Sequence, residues 1–249
     1  MIVAMPMAQA GTLLVAAASD LVHCIDELGA AFRKEEPAAE VKVSTGASGN
    51  FFAQIKRGAP FDVFLSADMD YPRQLAQEGA ADPASLKTYA IGRLAVWTVD
   101  TRFDPRQGMR LFADPRLTRV AIANPDVAPY GRAARAALIH HGVWDAVKGK
   151  LAIGENVAQT AQFVQTGNAQ LGIVSLATVL SPRLKEVGRY YIVPEEGIAP
   201  IEQGVIVTRH GKDNPLAARF VRFLQTKAAR EILQRSGFGL PRAPAGASE

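Results

Sequence analysis

The chain has 249 residues, 48% of them hydrophobic and 21% charged, with 21 Gly and 15 Pro. That is the make-up of a globular protein of one large or two smaller domains, and it excludes a disordered, fibrous or repeat-array chain. Lys and Arg number 28 against 24 Asp and Glu, a formal charge of +4 that suits a nucleic acid, a membrane surface or a small anion without choosing among them.

In chain order, residues 1–10 come first. They are apolar and end in Ala8-Gln9-Ala10, as the tail of a secretory signal peptide would, although a charged leading region is missing. We expect an export remnant there. The longest wholly apolar run, residues 13–18, is far shorter than the roughly 18–20 residues that cross a bilayer, so no transmembrane helix is expected. Leu13-Leu14-Val15-Ala16-Ala17 reads as a buried strand. Leu21, Ile25, Leu28 and Phe32 then mark the apolar side of a helix that Pro37 ends. The single cysteine, Cys24, lies in that helical pattern beside His23; it excludes an intrachain disulfide and a Cys-pair metal motif, and its place does not suit a lipid anchor.

Val41-Lys42-Val43-Ser44 alternates as a strand, Phe51, Phe52 and Ile55 mark a helix, and Asp62-Val63-Phe64-Leu65-Ser66 supplies a third strand. A helix follows over residues 72–79, then a long strand-like stretch over 89–99, a loop at Pro105 and Gly108, and the strand Val120-Ala121-Ile122-Ala123. Further helices carry Ala134 and Leu138, then Val157, Ala161 and Val164, then Leu176 and Val179. Strands at Gly172-Ile173-Val174 and Tyr190-Tyr191-Ile192-Val193 interleave with them. The strand Gly204-Val205-Ile206-Val207-Thr208 leads into one amphipathic helix from Pro215 with Leu216, Phe220, Phe223, Leu224 and Ile232 on its apolar side. About eight strands and seven or eight helices in alternation argue for an α/β protein of two lobes. The segments 89–99 and 202–208 are the candidate crossovers. Residues from 241 on read as a flexible tail.

Four strand-to-helix junctions share one chemistry: Ala18-Ser19-Asp20, Gly46-Ala47-Ser48-Gly49, Ala128-Pro129-Tyr130-Gly131 and Glu155-Asn156-Val157. Each begins a helix, where unpaired backbone N–H groups and the positive end of the helix dipole favour an anion. One such junction is ordinary capping. Four of them, two in each proposed lobe and all at carboxyl ends of strands, point to an anion-binding cleft.

These stretches, with Gly58-Ala59-Pro60-Phe61-Asp62-Val63-Phe64-Leu65-Ser66-Ala67-Asp68 and Tyr89-Ala90-Ile91-Gly92-Arg93-Leu94, resemble in order and spacing the molybdate-binding proteins of bacterial ABC transporters. The resemblance runs from about residue 11 to residue 240. It implies a type II periplasmic binding fold: two lobes, each a mainly parallel sheet flanked by helices, with a tetrahedral oxyanion in the cleft between them. It places residues 11–92 and 209–240 in lobe I, 93–208 in lobe II and 241–249 in the tail. It also implies a non-enzymatic, periplasmic monomer without a cofactor, which delivers molybdate or tungstate to a membrane permease driven by a cytoplasmic ATPase. Carried over by position, the oxyanion would be held through its oxygens by Ser19 and Ser48, with hydroxyl and backbone N–H, and by Tyr130 and Val157, chiefly with backbone N–H. The Tyr130 phenol could add a bond. Asp20 would contribute its backbone N–H and turn its carboxylate away toward the first helical turn. Ser175 stands where a subgroup has a ligand-contacting tyrosine and is too short to copy that contact; it is the weakest member of the set.

Two other classes compete. Gly46-Ala47-Ser48-Gly49 sits like the nucleophile elbow of a serine hydrolase, yet G-x-S-x-G is not completed, and only His23, His140, His141 and His210 could serve as base. The adjacent pair His140-His141 diverges on a helix, which is poor for one metal. A dinucleotide site lacks G-x-G-x-x-G, and a transcription regulator would need a helix-turn-helix ahead of residue 13, where there is no room, so no nucleic acid is expected. Among oxyanions, sulfate is the alternative ligand.

Overall fold

A computed structural model describes residues 11–241. The expected export remnant at 1–10 and, beyond its first residue, the expected tail lie outside the described residues. Along the chain run β1 (Gly11–Ala18), α1 (Ile25–Glu35), β2 (Ala39–Gly46), α2 (Ser48–Lys56), β3 (Val63–Ser66) and α3 (Asp70–Gln77). Then come β4 (Lys87–Gly92), β5 (Leu94–Thr98), β6 (Val120–Ala123), α4 (Pro129–His140), α5 (Trp144–Val147), β7 (Leu151–Gly154) and α6 (Val157–Gln165). The last elements are β8 (Leu171–Ser175), α7 (Leu176–Val179), β9 (Arg189–Ile192), β10 (Ile201–Val207), α8 (Pro215–Phe223) and α9 (Lys227–Arg235).

The strands form two five-stranded sheets, ordered β2-β1-β3-β10-β4 and β7-β6-β8-β5-β9. The two orders are one pattern used twice. In each, a central strand pairs in parallel with both neighbours, β1 with β2 and β3, β6 with β7 and β8. Two antiparallel pairings then complete each sheet, through β10 in the first and β5 in the second. Four of the five strands in each sheet thus run the same way, so each sheet is mainly parallel as expected, with one reversed strand, β10 or β5, inserted. The reversal comes from the crossing of the chain: it leaves the first sheet at Arg93, between β4 and β5, and returns before Ile201. Each crossing strand enters its new sheet running against the strand it joins.

The return point also corrects the expected lobe boundary at 208. Residues 201–207 belong to the first sheet, where β10 lies between β3 and β4. Alternation of side chains explains the placement. Leu13, Val15 and Ala17 of β1, Val63 and Leu65 of β3, and Val205 and Val207 of β10 bury in one core with α1, α8 and α9. The residues between them, Ala16, Phe64 and Ile206, bury on the opposite face with Phe51, Ile55 and Leu75 of α2 and α3. The second sheet has its own core, built on Val96, Trp97, Ile122 and Ile173.

Two further differences are local. Residues 151–154 form the strand that the junction at Glu155-Asn156-Val157 implies but that no apolar pattern marks, and the long helix from Pro215 is two helices, because the Thr226 side chain accepts the Ala229 N–H and begins α9 anew. Among the described residues no helix is long and apolar enough to cross a membrane.

Candidate functional site

The repeated sheet pattern brings the four junctions together. β1 and β2 pair up to Ala18 and Gly46, and β6 and β7 pair up to Ala123 and Gly154, so a short 3-10 turn at Ser19–Leu21, in place of the expected start of α1, leaves the first sheet beside α2, and α4 and α6 leave the second side by side. Ser19, Asp20, Ser48, Tyr130 and Val157, with Ala67 at the end of β3, line one pocket between the sheets. It is narrow, far below the roughly 300–1,000 Å³ of sites for drug-sized ligands, which excludes a dinucleotide. No Lys or Arg lines it.

The sequence at each helix start decides which amides remain open. In α6 the Asn156 side chain accepts the N–H groups of Ala158 at 3.0 Å and Gln159 at 3.1 Å, leaving that of Val157. In α4, Pro129 has no N–H, and Gly131 donates to Ala128 at 2.9 Å, leaving that of Tyr130. In α2, Gly49 donates at 2.8 Å to Val127 of the other lobe, leaving that of Ser48. Among the described residues these three amides meet no acceptor. Gly131 is required for the convergence: a Cβ on it would lie 2.3 Å from the Ala123 carbonyl oxygen, so only glycine lets α4 start so close to β6. The Ser48 hydroxyl also accepts the Ala67 N–H at 3.0 Å, tying α2 to the end of β3.

Asp20 is 1% exposed, and its side chain does more than face its own turn. Its Oδ2 accepts from Gln203 Nε2, which also donates to the Tyr130 hydroxyl at 3.2 Å, while Gln203 Oε1 accepts from the Tyr89 hydroxyl at 2.6 Å. A chain of buried polar groups thus runs from the first lobe to Tyr130 in the second. Burial pushes the Asp20 carboxyl up to about 6, against Gln203, Tyr130 and the backbone of residues 20 and 21, whose polar hydrogens favour the charged form. Burial and the neighbouring Asp20 also push the Tyr130 and Tyr89 hydroxyls well above their ordinary range. Gly92 leaves room for the chain, since a Cβ there would stand 2.4 Å from the Tyr130 hydroxyl oxygen.

Ser175 is not brought to the pocket. Its hydroxyl oxygen accepts the Thr178 N–H at 3.1 Å, capping α7, and lies 2.7 Å from the Thr178 hydroxyl. Gln203, Tyr89 and Asn156 are residues that the sequence reading did not single out for these roles. Asn156 had a local signal, an Asn immediately before an apolar helical run; Gln203 had none. The lobes are further joined across the cleft by Asn50 Nδ2 to Glu155 Oε1 at 2.9 Å and by Arg132, which pairs with Asp68 and donates to the Tyr71 hydroxyl at 3.2 Å. No histidine is hydrogen-bonded to Ser48, and among the described residues no three acidic, His or Cys side chains group as a metal site.

The family model for "Bacterial extracellular solute-binding protein" matches residues 13–239. The molybdate-binding protein ModA of Azotobacter vinelandii is 38% identical over 94% of this chain and 92% of its own length. That of Rhodobacter capsulatus is 37% identical, covering 93% of this chain and 89% of its own length. The solved structure of the Azotobacter vinelandii periplasmic molybdate-binding protein superposes with a TM-score of 0.86 at 32% identity, over 92% of this chain and all (100%) of that one. The sulfate-binding protein SubI of Mycobacterium tuberculosis, at 15% identity and a TM-score of 0.73, shares the fold.

Proposed function

The chain belongs to the bacterial extracellular solute-binding proteins, within their molybdate-binding branch, and from that premise we propose that it captures molybdate in the pocket between its lobes and delivers it to the permease of an ABC importer. Residues 11–92 and 201–240 make one lobe and 93–200 the other. The protein works in the periplasm as a monomer, after export directed by a segment that begins ahead of residue 11, and a cytoplasmic ATPase drives the permease. Tungstate, of nearly the same size and charge, binds in the same way.

One observation carries this reading: three helix-start amides without partners, at Ser48, Tyr130 and Val157, converge on a pocket that no Lys or Arg lines. Ser19 and Ser48 add hydroxyls and Ser19 and Asp20 further amides. Burying a dianion forfeits hydration worth tens of kcal/mol, so the site must replace water with aimed donors. Roughly six to eight charge-assisted bonds at about 1.5–3 kcal/mol each amount to about 9–24 kcal/mol, a range that spans the roughly 12 kcal/mol of nanomolar binding and at its upper end leaves a surplus for closing the lobes. A site of amides and short hydroxyls holds a tetrahedral oxyanion by geometry and selects by size, which separates molybdate and tungstate from the smaller sulfate.

Calorimetry with molybdate, tungstate, sulfate and phosphate tests the proposal. Tight binding of the first two is the expected result; no heat with either, or tighter binding of sulfate, overturns it. The hydrolase reading has no support in the site, because the hydroxyl oxygen of Ser48 accepts the Ala67 N–H and no base adjoins it.

A further inference from the structure

The pocket contains one group that a site for a dianion should not contain. Asp20 lines it, is 1% exposed, and has an oxygen, Oδ1, without a hydrogen-bond partner among the described residues. The groups that face its carboxyl come from three elements besides its own turn. Tyr89 on β4 and Tyr130 on α4 are phenols, Gln203 on β10 is an amide, and Cys24 beyond the turn is a buried thiol. Burial and the nearby Asp20 push that thiol up to about 12, and both phenols are likewise held neutral. Among the described residues no Lys, Arg or His pairs with Asp20. An ionised Asp20 beside a dianion would put three negative charges in one enclosed space without a counter-ion, and like charges held this close do not all stay ionised.

We propose that Asp20 carries a proton when the oxyanion is bound, so that the closed protein holds one oxyanion together with one proton taken up from solvent. Oδ2 is engaged by Gln203, so the proton sits on Oδ1, the oxygen that has no partner. A carboxyl in that form is a donor where the carboxylate was only an acceptor. Burial already raises this carboxyl to about 6 against the polar groups around it, and a dianion beside it raises it further. In the open protein, with the carboxyl hydrated, it is ionised at neutral pH. Lobe closure around the anion is therefore the step that takes up the proton.

This inference rests on molybdate being the ligand, and the experiment separates the two claims. Molybdate binding to the full chain is measured by calorimetry at pH 7.5 in two buffers of different ionisation enthalpy, then as affinity between pH 6.5 and 8.5. Heat that differs between buffers by close to one proton per ion, with affinity falling up to about tenfold per pH unit, is the expected result. Equal heats in the two buffers with tight binding overturn the proton and leave the molybdate site standing. No binding in either buffer overturns the functional reading itself. In Asp20→Asn, which keeps the size of the side chain, proton uptake vanishes and affinity no longer varies with pH. Infrared difference spectra locate the proton: a protonated-carboxyl band that appears with molybdate and is missing in Asp20→Asn supports its place on Asp20. Its absence from the unsubstituted protein while uptake persists puts the proton on the oxyanion and overturns the assignment.

Discussion

The hydroxyl of Ser48 has two tasks: it lines the pocket and accepts the Ala67 N–H at 3.0 Å. Ser48→Ala should therefore weaken molybdate binding by about 1–3 kcal/mol in calorimetry, the worth of one donor to a charged ligand, with a smaller loss of stability from the orphaned Ala67 amide. Tyr130 separates backbone from side chain. Tyr130→Phe keeps the N–H that faces the anion and removes the hydroxyl that meets Gln203, so affinity should fall by only about 0.5–1.5 kcal/mol. Tyr130→Ala also empties part of the second core, and a thermal melt should show a marked loss that the phenylalanine variant lacks. Ser19, Asp20, Ser48, Tyr130 and Val157 were legible in the sequence because a helix start is a local event, written in a few consecutive residues. Gln203 was not legible. Its partner Asp20 is 183 positions away, and a polar residue within an apolar strand carries no sign of which distant group will satisfy it. Ser175 entered only through the resemblance, at the place of a tyrosine whose contact a serine is too short to copy, and here it caps α7.

At the level of elements, each helix start depends on a short device. Asn156→Ala removes the cap of α6 and should lower stability by about 1 kcal/mol in denaturant unfolding. The Val157 amide that faces the anion remains in that variant, so affinity should change less than in Ser48→Ala. Gly131→Ala places a methyl against the Ala123 carbonyl, at 2.3 Å, and α4 must lift off the end of β6. We expect a loss of roughly 1–3 kcal/mol in stability, as for other overpacked sites, together with weaker molybdate binding, because the Tyr130 amide moves with the helix. Most elements were readable from periodicity and turn residues. The break between α8 and α9 was not, since the apolar spacing runs through it and only the Thr226 cap, formed in three dimensions, restarts the helix. The strand at 151–154 escaped for the opposite reason: at four residues it is too short for alternation to mark it.

Across the whole molecule, the lobes meet at apolar contacts, with Ala18 and Ala67 of the first packed into the second core, and at a few polar contacts around the pocket. The pair of Arg132 with Asp68 is the most tractable of them. Arg132 is 40% exposed and Asp68 only 14%, so solvent screens the pair and its loss should cost about 1 kcal/mol or less. Arg132→Ala should then release molybdate a few-fold faster in stopped-flow displacement, with little change in the melting point of the ligand-free protein. Small-angle scattering should show the unsubstituted protein contract when molybdate is added, as closure requires. The α/β class, the two-lobed plan and the junctions that line the pocket were determined by the sequence alone, because hydrophobic period, turn chemistry and helix capping act over a few neighbouring residues. The tertiary structure decided what depends on distant partners. It placed β10 in the first sheet, since an apolar strand fits either sheet until its neighbours are chosen. It set one reversed strand into each otherwise parallel sheet, since the chain crosses between the lobes twice. It closed Asp20, Gln203 and Tyr130 into one buried network, since burial is a property of the assembled lobes. The mild positive charge of the chain proved secondary: backbone amides at helix starts bear the positive potential of the site, and they do not enter a count of Lys and Arg.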